Sequence, residues 1–337
     1  MRRKLFFLLI VSALLSLILT SPSVAEKRYT IAMVVKNLGN PFFEAAARGG
    51  REAATELGAD FIFQGPSTPT AEGQIEIIDA LIAQKVNAIA ISANDPDALV
   101  PICKKAMARG IKVITWDSAV APAGRQIFVN QADMEAIGRI EVQMLAEMIG
   151  YKGEIAILSA AATMTNQNTW IMWMQKELQL PKYKDMRLAA IVYGDDLREK
   201  SYTEAQGLFK SYPNLKGIIS PTTVGIAASG RALKDAGLSG KIALTGLGLP
   251  SEMAEYIRDG TCKEMALWNP VDLGYMATYV SYLITSGQIK GKIGEKFKAG
   301  KLGNFTVVDE GNGGTMVILG PPFKFNAANI DEWSKVY

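Results

Sequence analysis

From residue 29 onward the chain alternates short apolar runs with longer stretches whose apolar positions recur at helical spacing. Tyr29–Val35, Asp60–Gly65, Ala88–Ser92, Lys112–Asp117 and Gln126–Asn130 read as strands. Between them, Pro41–Leu57, Ala71–Gln84 and Pro96–Arg109 read as helices. The runs at 88–92 and 112–116 are nearly continuous and apolar, as parallel strands covered on both faces should be. The pattern then repeats. Helices are predicted over Asp133–Ile149, Asn166–Leu178, Glu199–Ser211, Gly225–Asp235 and Ser251–Asp259. Strands are predicted over Glu154–Ser159, Leu188–Tyr193, Gly217–Ser220, Ile242–Thr245 and Cys262–Trp268. A further helix spans Asp272–Thr285, and the tail from Phe305 has two strand-like runs around a turn at Gly311–Gly314. Regular β–α alternation predicts doubly wound parallel sheets. Two such sets in tandem, with no Pro- or Ser-rich linker between them, predict an α/β protein of two similar lobes.

The first 25 residues break this pattern. Arg2, Arg3 and Lys4 precede an uncharged apolar run from Leu5 to Leu19, and Ser23-Val24-Ala25 follows. That is the pattern of a secretory leader cleaved after Ala25. The run is short for a bilayer span of about 20 residues. No Cys lies near the cleavage point to carry a lipid, so a freely soluble periplasmic product is expected.

Export changes the reading of charge. The full chain has 36 basic and 33 acidic residues. Removing the leader's three basic residues leaves 33 of each, a neutral mature chain with no basic run to suggest nucleic acid. Cys103 and Cys262 fall in different lobes, where a bridge would lock parts that must move, so both read as buried hydrophobes. The chain has no His, which removes Ser–His and Cys–His catalysis and the commonest transition-metal ligand. No cofactor motif, Walker loop or nucleophile elbow is present, and no metal site is expected. Asp195-Asp196 could pass for a catalytic carboxylate pair, but adjacent residues rarely converge on one bond, and helix N-capping before Arg198 is the preferred reading.

In doubly wound sheets, chemistry sits at the C-terminal ends of the strands. Those ends carry Lys36, Asp117, Asn166, Gln167, Thr222, Thr223, Asn269 and Asp272. Asn40, Phe42, Phe43, Trp116, Trp170, Tyr193 and Trp268 are close in sequence. Scattered amides, carboxylates and hydroxyls suit a polyhydroxylated ligand, whose hydroxyls both donate and accept. Aromatic neighbours suit the C–H faces of a sugar ring.

Several segments resemble the ribose-type periplasmic binding proteins over essentially the whole mature length. The stretch VVKNLGNPFFEAAARGG (34–50) is similar to that family's first strand-to-helix turn, where an Asn-Pro-Phe-Phe run brings aromatics to the sugar. TWDS (115–118) matches the position of its ligand-binding Asp, here Asp117. A narrower branch, the rhamnose-binding and autoinducer-2-binding proteins, is resembled at 65–84, 91–118, TNQNTW (165–170), SPTTVG (220–225), TGLGLPSEM (245–253) and WNPVDLGY (268–275).

The resemblance implies a type I periplasmic binding protein, two Rossmann-like lobes joined by a three-segment hinge. Lobe one would span 26–130, with 270–304 crossing back, and lobe two 131–269, with the tail 305–337. Lys36 and Asp117 would bind from lobe one, and Asn166, Gln167, Pro221, Thr223 and Trp268 from lobe two. Asn40, Phe42, Phe43 and Asn269 complete the expected site. Autoinducer-2 receptors carry Asp where this chain has Asn166 and Asn269, and a different run at Pro221-Thr222-Thr223. All three differences resemble the rhamnose-binding relatives. The wider family has Asp near Gly248, which argues against ribose.

The expected function is capture of a small deoxy-sugar, L-rhamnose foremost, or of an autoinducer-2-like ligand. The expected partner is an ABC permease in the inner membrane, and the expected state a monomer. A sugar-responsive regulator would share the fold, but the leader and the missing helix-turn-helix oppose it. A sugar-processing enzyme would need an acid–base pair that the sequence lacks.

Overall fold

Short aliphatic strands, buried along nearly their whole length, build a first sheet with helices on both faces. The protein is described by a computed structural model covering residues 28–337, so the leader read at 1–25 lies outside the described residues. Strands β1 (Thr30–Val34), β2 (Asp60–Gln64), β3 (Ala88–Ile91), β4 (Lys112–Trp116) and β5 (Ile127–Asn130) run parallel in the order β2-β1-β3-β4-β5. Helices α1 (Pro41–Glu56), α2 (Ala71–Ala83) and α3 (Val100–Ala108) make the crossovers. Successive strand residues face opposite ways. Ala32, Val34, Ile89 and Ile91 therefore enter one core and Ile31, Met33, Ala88 and Ala90 another.

The second lobe repeats the design. Helices α4 (Met134–Ile149), α5 (Thr165–Leu178), α6 (Arg198–Ser211), α7 (Thr223–Asp235) and α8 (Pro250–Arg258) surround a second sheet. Its strands β6 (Lys152–Ser159), β7 (Asp185–Tyr193), β8 (Leu215–Ser220) and β9 (Ala243–Gly246) lie parallel in the order β7-β6-β8-β9. The expected fifth strand, β10 (Glu264–Leu267), does not join this sheet's ladder; it meets the edge through an isolated Leu247–Ala266 bridge and a hydrogen bond from Thr245 Oγ1 to the Glu264 carbonyl at 2.7 Å.

After β10 come α9 (Pro270–Ser286), β11 (Lys296–Lys298), β12 (Asn304–Thr306), β13 (Val308–Asp309), β14 (Thr315–Ile318), β15 (Phe323–Asn326) and α10 (Ile330–Trp333). β15 pairs antiparallel with β10, and α10 packs on α8. The tail is therefore split, contrary to the expectation that 305–337 stays with lobe two. β14 adds in parallel to β5, and β13 folds back on β14, so this part completes the first sheet. The reason is the open edge of β5. Its backbone groups need partners, and β14 supplies them while burying Val317. The chain crosses between lobes three times: from β5 to α4, from β10 to α9, and from β14 to β15.

Two glycines let α9 return tightly against α1. A Cβ on Gly49 would stand 1.8 Å from the Val271 carbonyl oxygen, and one on Gly274 1.9 Å from that of Ala46. The backbones touch where any side chain would part them, and this contact ties the helix after the second crossing to the middle of α1. Cys103 and Cys262 are free and buried, and burial pushes both thiols up to about 12.

Candidate functional site

Each sheet reverses its strand order at one point, between β1 and β3 in the first and between β6 and β8 in the second. Crevices open at such switch points outside the carboxyl ends of the strands. Here the two crevices face each other across a small cavity between the lobes.

Lobe one contributes Lys36, Asn40, Phe42, Phe43 and Asp117 to the lining. Asn40 caps α1, its Oδ1 accepting from the Phe42 N–H at 3.0 Å, with Pro41 preset for the first helical turn. That cap aims Phe42 and Phe43 inward, and both are buried. Phe42 meets Trp268 edge-on at 6.1 Å, and Phe43 meets Trp116 at 5.9 Å. Trp170 tilts against Trp268 at 5.7 Å, so one side of the cavity is aromatic.

The opposite character comes from a buried polar cluster. Lys36 Nζ lies 3.2 Å from Asp117 Oδ2, both side chains nearly inaccessible. Ser92 Oγ donates to the same oxygen at 2.6 Å. Asp117 sits at φ +58°, a left-handed turn that ends β4 and sends its carboxylate into the cleft.

Lobe two answers from α5 and the end of β8. Asn166 Nδ2 donates to Asp117 Oδ1 at 3.3 Å, and Lys36 Nζ donates to Asn166 Oδ1 at 3.4 Å. Thr163 Oγ1 donates to the Asn94 carbonyl at 3.2 Å. These bonds cross between the lobes, so the cleft is closed. Gln167 accepts from Ser159 Oγ and the Ala160 N–H through Oε1, which leaves its NH₂ as the available donor. Pro221 and Thr223 line the cavity at the start of α7.

Every residue expected at the site lines this cavity except Asn269. Asn269 instead caps α9, with Oδ1 accepting from the Val271 and Asp272 N–H groups and Nδ2 donating to Asp272. Its side chain lines a separate groove beside the crossings, on the far side of Trp268.

The sequence reading misses Asp196, Leu247 and Leu267, names Trp170 only as a neighbour, and names Thr222 as a polar strand end without placing it in the site. Asp196 was assigned to helix capping, yet Leu197 holds the N-cap position of α6 and no side chain caps it. Asp195 and Asp196 both adopt positive φ, +53° and +50°. The double turn sends Asp195 outward to Lys200 and Asp196 inward, where it accepts a hydrogen bond from Thr222 Oγ1. Burial raises the Asp196 carboxyl above its ordinary range, opposed by the charge of Lys36.

Comparison with known proteins identifies the family and the fold. Residues 31–289 match the periplasmic binding protein domain. An ABC transporter solute-binding protein from Clostridium phytofermentas, solved with bound L-rhamnose, is 41% identical. The match covers 92% of this chain and 99% of that one, with a TM-score of 0.91. LsrB from Clostridium saccharobutylicum, solved with AI-2, is 25% identical over 90% of this chain and 99% of its own, with a TM-score of 0.85. The D-ribose/D-allose-binding protein of Pseudomonas aeruginosa is 24% identical over 77% of this chain and 83% of its own length. The chain therefore belongs to the periplasmic binding protein family, as a solute-binding protein of sugar transport and not an enzyme.

Proposed function

We propose that this chain is exported to the periplasm, captures L-rhamnose or a close 6-deoxyhexose by hinge closure, and delivers it to an ABC permease. The observation that carries this reading is the cavity between the lobes, polar on one side and aromatic on the other. A ligand there touches both lobes at once. It therefore binds the closed arrangement better than the open one and shifts the population towards it. The likeness to the rhamnose-bound relative supports the sugar. So does Asn166, which offers an amide donor to ligand oxygens. Phe42, Phe43 and Trp268 would cover the apolar side of the ring, including the 6-methyl group. A buried methyl contributes about 0.8 kcal/mol, enough to favour a 6-deoxy sugar over one lacking the methyl.

Thermal melting with L-rhamnose, L-fucose, ribose, xylose, glucose and autoinducer-2 tests the assignment. A ligand at about 1,000 times its Kd stabilises by about 4 kcal/mol, a shift of several degrees. A clear rise with rhamnose and little with ribose is expected. A rise with autoinducer-2 alone would move the assignment to signal uptake. No rise with any member would refute a sugar site. Export has its own test: N-terminal sequencing of protein secreted by a Gram-negative host should begin at Glu26, and retention of residues 1–25 would refute cleavage.

A further inference from the structure

The cavity holds two carboxylates, and they are not equally free. Asp117 is largely committed within the protein. Its Oδ2 accepts from Ser92 at 2.6 Å and faces Lys36 at 3.2 Å, and its Oδ1 accepts from Asn166 at 3.3 Å. Asp196 is as deeply placed, 7% exposed, but accepts only from Thr222 Oγ1, through Oδ1. Among the described residues its Oδ2 has no hydrogen-bond donor, although the residue lines the cavity. Lys36 Nζ has three N–H groups; one donates to Asn166, and the ammonium faces Asp117 Oδ2 at 3.2 Å as an ion pair.

We infer that Asp196 is a second carboxylate that reads the ligand beside Asp117, and that with Lys36 it selects a neighbouring pair of ligand oxygens. One hydroxyl donates to Asp196 Oδ2, and the adjacent oxygen accepts from the remaining Lys36 N–H. The strained approach to α6 supports this assignment. Two consecutive non-glycine residues in the left-handed region are costly, and the result is a carboxylate turned inward with one oxygen left open. A carboxylate buried in that way gains most from a ligand hydroxyl, because an unpaired buried acceptor is unfavourable.

This inference rests on the cleft being a sugar site, and the experiment separates the two. Calorimetry is run on the wild type, Asp196→Asn and Asp196→Gly, using the sugar that the wild type binds most tightly and each of its monodeoxy derivatives. Glycine tolerates the positive φ, so it removes the carboxylate without backbone strain. The expected loss is about tenfold for Asp196→Asn and about a hundredfold for Asp196→Gly. One monodeoxy derivative should bind the wild type at least about tenfold worse than the parent sugar, and that discrimination should vanish in both variants. A purely structural role for Asp196 would lower the urea midpoint and leave the deoxy discrimination intact. Tight binding of the parent sugar by folded Asp196→Gly, or discrimination that persists in the variants, would overturn the inference while leaving the sugar site standing. A wild type that binds no sugar would overturn both. A wild type that binds a sugar other than rhamnose would overturn only the rhamnose assignment, and the Asp196 comparison would be read on that sugar.

Discussion

Replacing Lys36 by Met tests whether the polar side of the cleft is held by a buried charge pair. Lys36 and Asp117 belong to the same lobe, their charged atoms are 3.2 Å apart, and their side chains are 3% and 5% exposed. At that distance an effective dielectric of about 20 gives an attraction of about 5 kcal/mol, and bulk water about 1 kcal/mol. Lys36→Met removes the positive charge and leaves Asp117 with Ser92 and Asn166 only. A buried charge stripped of its partner costs about 3–5 kcal/mol. In a protein of this size that should lower Tm by roughly 10 °C. Asp117→Asn should restore part of the loss in the double variant, since an amide is far cheaper to bury than an unpaired carboxylate. The assay is urea unfolding of the four proteins of the cycle without ligand. The expected coupling energy is about 3 kcal/mol or more. A coupling below about 1 kcal/mol would mean that water screens the pair as it screens surface pairs, and the reasoning from burial would fail.

Glu177 predicts acid sensitivity: its own burial would raise its carboxyl, but hydrogen bonds from Tyr183, Arg139, Gln143 and Lys182 outweigh burial and hold it at about 2, below the ordinary 4.5. A depressed carboxyl stabilises the fold above its unfolded value and loses that contribution as pH falls, so urea midpoints should drop between about pH 4.5 and 2, and less steeply in Glu177→Gln; parallel profiles would refute this. Gly274→Ala should destabilise by about 1–3 kcal/mol or more, because its Cβ would meet the Ala46 carbonyl at 1.9 Å; an unchanged thermal midpoint would show that α1 and α9 can part without cost.

Much of this fold is written in apolar periodicity, because the signals that make it are local. Continuous apolar runs as short and flanked as Ala88–Ile91 read as strands covered on both faces, and helical spacing marks what covers them. The tail is different. Nothing local tells Thr315–Ile318 to pair with β5 or Phe323–Asn326 to pair with β10, since both choices are made by open edges far away in sequence. The site divides along the same line. Lys36, Asp117 and Asn166 are visible as polar residues closing strands, and topology brings such ends together. Asn269 closes a strand too, but the start of a long helix directly behind it claims its side chain for two backbone N–H groups. A cap and a ligand contact draw on the same residue types, so sequence alone cannot assign them. Asp196 shows the converse. An Asp just before a helix reads as a cap, and only two successive left-handed residues, neither of them a glycine, turn it into the cleft. Where the backbone departs from its common conformations, residue type stops predicting direction. That is also where this protein places the least committed carboxylate of its cavity.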